Sequence, residues 1–536
     1  MKKKALATVL TLALSLGLMA GCGSAGQTAG TAPTESGGGT ATAAPATGGS
    51  SGSEQAAGAE NAGRAAAAEI TVGIAQDFDS LDPHHMTAAG TKEVLFNVFE
   101  GLVKPTSDGD IVPAVASAVE KSEDGLTYTF TLRQGVKFHN GDPVTVQDVI
   151  FSIERRRNGE DAAAKLDALD IIADVQGEGD TLTVTLSEPS NEFLAFLMNA
   201  YILPEGYDAQ ETAPVGTGPY KFVSRTPQES LVLERFGDYW GTPGQVDKVT
   251  FRIIENVEGL VLGLQSGALD LVMHMTSTQT DQLSDAEFHI EEGSMNLVQA
   301  LYLNNAAAPF DDVRVRQALS YAVNKQGIID LAFDGYGIPL GTSMFPSFSK
   351  YYDDSLTDFY AYDTAKAKEL LAEAGYPDGF EMTITVPSNY QPHVDTAEVI
   401  KMQLEEIGVK VTILPVDWNT WLQDVYGARE FQSTITGLTS DNMTARKLLE
   451  RFGSTVGNNF TNYSNADYDT ILAQAITATD DAEQTELYRQ LERNLTENAA
   501  NVYIQDMADL VAVRAGLDGL EFYPLYVLDV STLHWN

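Results

Sequence analysis

The sequence predicts a mixed α/β protein built from more than one lobe, and three observations carry that reading. Stretches with the two-residue period of strands alternate along the chain with stretches of helical period. Residues 382–416 read as strand, helix, strand, a unit that expects a right-handed crossover into a parallel sheet. A hydrophobic content of 43% over 536 residues supplies core for two or three domains.

The chain opens with Lys2, Lys3 and Lys4 before an apolar run from Ala5 to Ala20, the layout of a secretory signal and too short for a membrane span. Cys22, the sole cysteine, follows Met19-Ala20-Gly21 and leaves no partner for an intramolecular disulfide. Its placement resembles a bacterial lipobox, in which small residues precede a cysteine that is diacylated and becomes the mature N-terminus, with Met19 where Leu is usual. Residues 23–68 are mostly Gly, Ala, Ser, Thr and Pro. They carry too little apolar surface to offset their ordering entropy and are expected to form a flexible tether.

The folded part is expected to begin with a strand at Glu69–Gly73, a loop at Phe78–His84 closed by Pro83, and a helix over 91–102 with Val94, Leu95, Val98 and Leu102 on one face. His84 and His85 read as a solvated loop pair, with metal ligation the less favoured alternative. In the run from Leu126 to Arg156, Leu126, Tyr128, Phe130 and Leu132 alternate with Thr127, Thr129, Thr131 and Arg133, which is the pattern of a half-buried strand. Turns follow at Gln134-Gly135 and at Asn140 to Pro143. A helix then starts with Thr145 and Asp148 at capping-box spacing and Val146, Val149, Ile150 and Ile153 on its apolar face.

Further strands are expected at 180–186 and after the Gly216-Thr217-Gly218 turn, where Tyr220 to Val223 continues as a strand. No helix opens there, so the Gly-x-Gly is not a phosphate cradle. Asp311 or Asp312 is placed to cap a helix bearing Val315, Ala318, Leu319 and Ala322. Asp363 caps another, which Gly375 and Pro377 end. Trp418, Trp421, Leu422 and Val425, at i, i+3, i+4 and i+7, predict a helix packed on the core. The segment from Leu510 to Trp535 reads as strand-like.

The 33 basic and 75 acidic side chains give a net charge of −42, all of it beyond Glu69. A field of that sign argues against nucleic acid as a partner. No HExxH, GxSxG, GxxxxGK[ST] or CxxC motif is present, and no histidines stand at i, i+4, so neither catalysis, a metal nor a cofactor is indicated.

The segment from Asp124 to Arg155 closely resembles a signature of extracytoplasmic solute-binding proteins of the dipeptide, oligopeptide and nickel ABC importers (family 5). The loop at 80–84, the helix near Asn97 and the GTGPYKF run at 216–222 also resemble elements of that family. The resemblance implies a periplasmic-binding-protein type II-like α/β fold with two main lobes, a hinge and an extra inserted domain. Carried onto this chain, it implies a signal peptide at 1–21, a lipid-anchored cysteine and linker at 22–69, a discontinuous lobe I at 70–112, 213–305 and 508–536, an inserted domain II at 113–212, and a lobe III at 306–507.

It also implies function: capture of a di- or oligopeptide by lobe closure and delivery to an ABC permease, by a monomer anchored on the outer face of a membrane through Cys22. A nickel chelate, an oligosaccharide or an opine-like ligand on the same fold are the alternatives; a secreted hydrolase or a surface receptor is a more distant reading. In peptide-binding relatives a lobe III aspartate holds the peptide's α-amino group. Asp441 is the matching carboxylate, with Leu438 where Trp is usual and no following Pro. Trp418 is the tryptophan placed to face a cleft. Met273 and His274 follow a strand whose end opens toward the ligand, His274 being either a contact or a satisfied interior histidine. Tyr302 and Asn304 stand at the entry to lobe III as hinge or pocket candidates.

Overall fold

Strand β1 (Glu69–Ile74) buries Ile70 and Val72 between neighbours on both sides, so the start of the fold lies inside its main sheet. The structure is a computed structural model that describes residues 68–159, 164–440 and 442–536, with the backbone alone for Val257, all within one unit from Glu54 to Asn536. The signal-like run, Cys22, the tether and Asp441 lie outside the described residues.

After β1 come a helix, Ala89–Leu95, and the hairpin of β2 (Val103–Pro105) and β3 (Ile111–Pro113). The helix is shorter than the 91–102 expected. Asn97 explains the early end: its Nδ2 donates to Leu528 O at 2.7 Å and its Oδ1 accepts from Val530 N at 2.9 Å, which ties the chain to the C-terminal segment. His84 corrects the expectation of a solvated pair. It is 1% exposed, its Nε2 meets Tyr201 O at 2.9 Å, and burial pushes its pKa down to about 3, so the ring is neutral. His85 stays partly exposed beside Asp82 at 3.5 Å.

Strands β4 (Ala116–Lys121), β5 (Thr127–Leu132), β6 (Ile172–Glu178) and β7 (Thr181–Leu186) form a separate antiparallel sheet in the order β4-β5-β7-β6. The alternation in β5 is realised: Tyr128, Phe130 and Leu132 are buried while the threonines between them face outward. The helix Val146–Asn158 covers this core through Val149 and Ile153. It starts with the expected capping box, Thr145 Oγ1 accepting from Asp148 N at 3.3 Å and Asp148 Oδ2 accepting from Thr145 N at 2.8 Å.

The chain returns to the main sheet through Gly216 and Gly218. A Cβ at either position would collide with a backbone carbonyl, that of Val98 or of Asn97, so these glycines permit close backbone approach. Strands β8 (Tyr220–Thr226), β9 (Ser230–Arg235), β10 (Lys248–Ile253) and β11 (Leu271–Met275) then complete the half of the sheet around β1.

Strand β12 (Phe288–Leu303) leads away from that half, and the short β13 (Ile338–Pro339) follows. Asp312 caps the helix Val313–Ala322 and Asp363 caps Thr364–Glu373, as expected. β14 (Glu381–Pro387) and β15 (Lys410–Val416) pair in parallel across the helix Gln391–Glu405, which gives the expected βαβ unit. That helix begins before Thr396 because Pro392 is accommodated in its first turn.

Beyond β15 the expected helix makes one α turn, Trp418–Thr420, then winds as a π-helix over Trp421–Gly427. The i→i+5 winding keeps Trp421 and Val425 buried and turns Leu422 outward, 40% exposed. Strand β16 (Ser433–Thr439) follows, and β17 (Asn501–Arg514) completes an eleven-stranded sheet whose main path runs β15-β14-β16-β12-β17-β11-β1-β10-β9-β8.

Strands β12 and β17 join the two halves of this sheet. The first part of β12 pairs with β17 beside β11, and its last residues pair with β16. The ladder between them is interrupted from Ser294/Ala508 to Val298/Asp506, so residues 295–297 oppose a single residue of β17. Asn296 adopts φ +53°, Asp506 Oδ1 accepts from Leu297 N at 3.0 Å, and Ser294 Oγ donates to Asp506 Oδ2. A wholly buried carboxylate therefore fastens the bulge at the crossing point between the halves.

Candidate functional site

Two adjoining cavities, of about 270 and 730 Å³, open between the β1 side of the sheet, residues 156–201 around the β4–β7 sheet, and the segment after β16. Thr87, Lys92, Asn199 and Tyr201 line both, which makes them one groove with a waist at Lys92. The Ala89–Leu95 helix aims Lys92 there because Val94 and Leu95 hold its other side in the core. Thr439 and Ser440 close the smaller cavity, and Asn442, Thr444 and Arg446 border the larger one.

The wall of the smaller cavity is set by Glu100, 4% exposed. Its carboxylate accepts from Tyr239 OH at 2.7 Å, from Trp240 Nε1 at 2.7 Å and from Lys104 Nζ at 3.4 Å. Trp240 in turn carries the Arg133 guanidinium 4.1 Å above its ring. Burial and the adjacent Glu100 push the Tyr239 hydroxyl far up, so it acts as a donor to that carboxylate. These groups satisfy one another and form a rigid wall.

His274 lies just behind the groove. It sits in β11 at φ +58°, with Nδ1 2.9 Å from Asp509 Oδ1 and Nε2 3.0 Å from Glu93 Oε1. Burial opposes its charge, but the two carboxylates outweigh that and raise its pKa well above the ordinary value, so the ring is an imidazolium between two anions. Its ring is 5.5 Å from that of Tyr526, which lines the smaller cavity. Met273 packs partly buried on the neighbouring core and, with His274, borders a separate hollow of about 20 Å³.

The remaining candidates are placed away from the two cavities. Tyr302 is fully buried, donates to Val298 O at 2.9 Å and packs on Phe460, which makes it a support of β12. Asn304 is buried, with Nδ2 donating to Phe431 O at 2.9 Å and Oδ1 accepting from Asn462 Nδ2 at 2.9 Å. Trp418, half-buried, stacks on Trp421 at 5.0 Å and meets Tyr390 edge-on at 5.4 Å. Trp421 anchors that stack through Nε1 donating to Thr434 Oγ1 at 2.9 Å. Asp441 lies outside the described residues; its chain neighbours Ser440 and Asn442 line the groove.

Sequence reasoning missed Lys92, Tyr201 and Arg446. Lys92 reads as an ordinary polar position on a helix, and its one distinguishing mark is a positive charge in an acid-rich chain. Tyr201 falls between periodic runs and carries no local signal. Among the described residues no group of three or more His, Cys, Asp or Glu is arranged to hold a metal, and no helix is long and apolar enough to cross a membrane.

Residues 110–460 match the family "Bacterial extracellular solute-binding proteins, family 5 Middle". The glutathione-binding protein GsiB of Pectobacterium atrosepticum is 29% identical over 463 residues, covering 82% of this chain and 88% of GsiB. The crystal structure of the ABC transporter substrate-binding protein CtaP of Listeria monocytogenes superposes with a TM-score of 0.77 at 25% identity, covering 87% of this chain and 99% of CtaP. The periplasmic binding protein DppA of Helicobacter pylori, in complex with the peptide STSA, gives 0.67 at 26% identity, with 87% and 98% covered. The chain therefore belongs to the bacterial extracellular solute-binding proteins of family 5, the substrate-binding components of ABC importers.

Proposed function

We propose that this substrate-binding protein captures a di- or oligopeptide in the groove at Lys92 by closing its lobes, and that it does so as a monomer held on the outer face of a membrane by acyl chains on Cys22. On this reading it releases its ligand unchanged to the permease and is not an enzyme. The observation that carries the proposal is the groove itself: its walls come from both halves of a sheet that β12 and β17 join, so a bend at their crossing would enclose a ligand. The relatives support the ligand class, since GsiB binds glutathione, itself a tripeptide, and DppA holds a tetrapeptide.

Within this proposal Asp441 takes the α-amino group of the peptide, because an enclosed ammonium requires a carboxylate. His274 acts from behind Tyr526, holding that wall in place. Trp418 with Tyr390 offers an aromatic surface, and Tyr302 and Asn304 keep β12 and the segment after it in position.

Native mass spectrometry of protein taken from its own host, followed by calorimetry with the ligand found, tests the proposal. A bound peptide is expected, with N-acetylation of that peptide or Asp441→Ala weakening binding by about 100-fold, the range for removing one partner of an enclosed charge pair. A non-peptide ligand, together with no affinity for any of a panel of tripeptides, overturns the peptide reading. Undiminished binding of the acetylated peptide removes Asp441 from its role.

A further inference from the structure

The larger cavity reverses the charge balance of the chain that builds it. The whole sequence has 33 basic against 75 acidic side chains, yet Lys92, Arg156, Lys165, Arg446 and Lys447 all line the larger cavity, opposite Asp167, Glu188 and Glu450. Pairing within the protein accounts for some of this charge. Lys165 meets Asp167 at 3.0 Å and Asp170 at 2.9 Å, and Arg446 meets Glu450 at 2.7 Å.

Two cations, Lys92 and Arg156, make no ion pair among the described residues. Lys92, half-buried at the waist, makes no ion pair there. Arg156 spends its Nη1 on the carbonyls of His84 at 2.9 Å and Ala164 at 2.6 Å, and its buried Nε has no partner. Arg155, next to it, takes both oxygens of Asp82, so that carboxylate reaches Arg156 only through its charge and makes no ion pair with it. On the acidic side, Glu188 is exposed at the rim. Asp529 in the smaller cavity is already engaged by Tyr523 OH at 3.1 Å and by the Ser531 N–H at 2.9 Å.

Closing lobes over uncompensated cations would strip their water without return unless the ligand brought an anion. We infer that the solute is an acidic one, a peptide carrying side-chain carboxylates, with one carboxylate seated against Lys92 at the waist and the chain extending toward Arg156 in the larger cavity. This rests on the peptide reading above and narrows it. It also accounts for an acidic protein keeping a basic interior surface: the outer charge keeps the protein soluble, while the short-range field inside the groove selects the ligand.

Calorimetry on the purified mature protein tests the inference with three tripeptides of similar size, Ala-Glu-Ala, Ala-Gln-Ala and Ala-Lys-Ala. The Glu peptide is expected to bind about 10-fold tighter than the Gln peptide, as one charge-assisted contact supplies, and the preference should shrink as salt rises. Lys92→Gln should bring the ratio close to one and Lys92→Arg should restore it. Lys410→Gln, on a side chain 78% exposed and remote from the groove, should leave it unchanged and controls for overall charge.

Equal binding of the Glu and Gln peptides, or a ratio that Lys92→Gln does not move, overturns the inference while the peptide reading stands. If none of the three binds and the host-derived ligand is an anionic non-peptide, the peptide reading falls and the anionic subsite survives. If none binds and that ligand is neutral or cationic, both fall.

Discussion

Asp506 illustrates how a single residue can carry information that its surroundings alone supply. It is fully buried in the bulge, and burial pushes its pKa up to about 7 despite the N–H and hydroxyl groups directed at it. A folded pKa above the ordinary 3.8 means that stability linked to this group is fully present below about pH 4 and is lost as pH rises through 7. The gap corresponds to about 4 kcal/mol at most. Asp506→Asn should therefore flatten the fall in unfolding free energy between pH 4 and 7 relative to wild type, measured by denaturant titration at several pH values. Parallel curves for the two proteins would show that Asp506 does not titrate in that window. His274 is the converse case: either role was open from the sequence, because its character depends on Glu93 and Asp509, which lie far from it along the chain.

At the level of elements, local signals were legible wherever the chemistry is local. The capping box at Thr145 and Asp148, the caps at Asp312 and Asp363, the alternation in β5 and the parallel pair β14–β15 all follow from residues within a turn or two of one another. The end of the Ala89–Leu95 helix at Asn97 was hidden, since the groups that stop it come from residues 528–530. The groove was hidden for the same reason, as its walls are drawn from stretches as far apart along the chain as Pro83 and Ser531.

One contact between elements bears on closure. Glu192, 5% exposed ahead of the Phe193–Leu197 helix, accepts from Tyr488 OH at 2.8 Å and from Thr444 Oγ1, with Arg446 at 3.6 Å, and so links the segment after β7 to the helices beyond β16. Burial raises its pKa. In the proposed motion this link forms as the lobes close. Glu192→Ala should then weaken ligand binding by about 10-fold, the scale of one hydrogen bond to a charged group, and enlarge the radius of gyration of the ligand-saturated protein in solution scattering. Wild-type affinity together with a wild-type radius would remove Glu192 from the closing contact.

For the whole molecule, the resemblance between Asp124 and Arg155 points to the family although that stretch builds the separate β4–β7 sheet and its covering helix and does not line the groove. Family membership is thus written in core packing, whereas the proposed binding chemistry rests on scattered polar residues. On the proposed lipid-anchored reading, Cys22 decides where the protein works. Cys22→Ser should shift it from the membrane fraction to the medium, since stable anchoring takes two or more acyl chains. Unchanged fractionation would set the lipid anchor aside.

The crossing of β12 and β17 has a mechanical consequence. In the proposed closing motion, two strands that stay paired on both sides of a three-residue bulge, itself pinned by Asp506, would act as leaves of one spring, clamped at each end and bending over a short span. Such a joint flexes about a line across the strands and resists sliding along them, because a slip of one residue would turn every side chain to the opposite face. On that reading each stroke would bring the same atoms back into apposition, and the joint would hold the travel of the jaws to one path, along which a permease docked across both lobes could gauge how far they have shut.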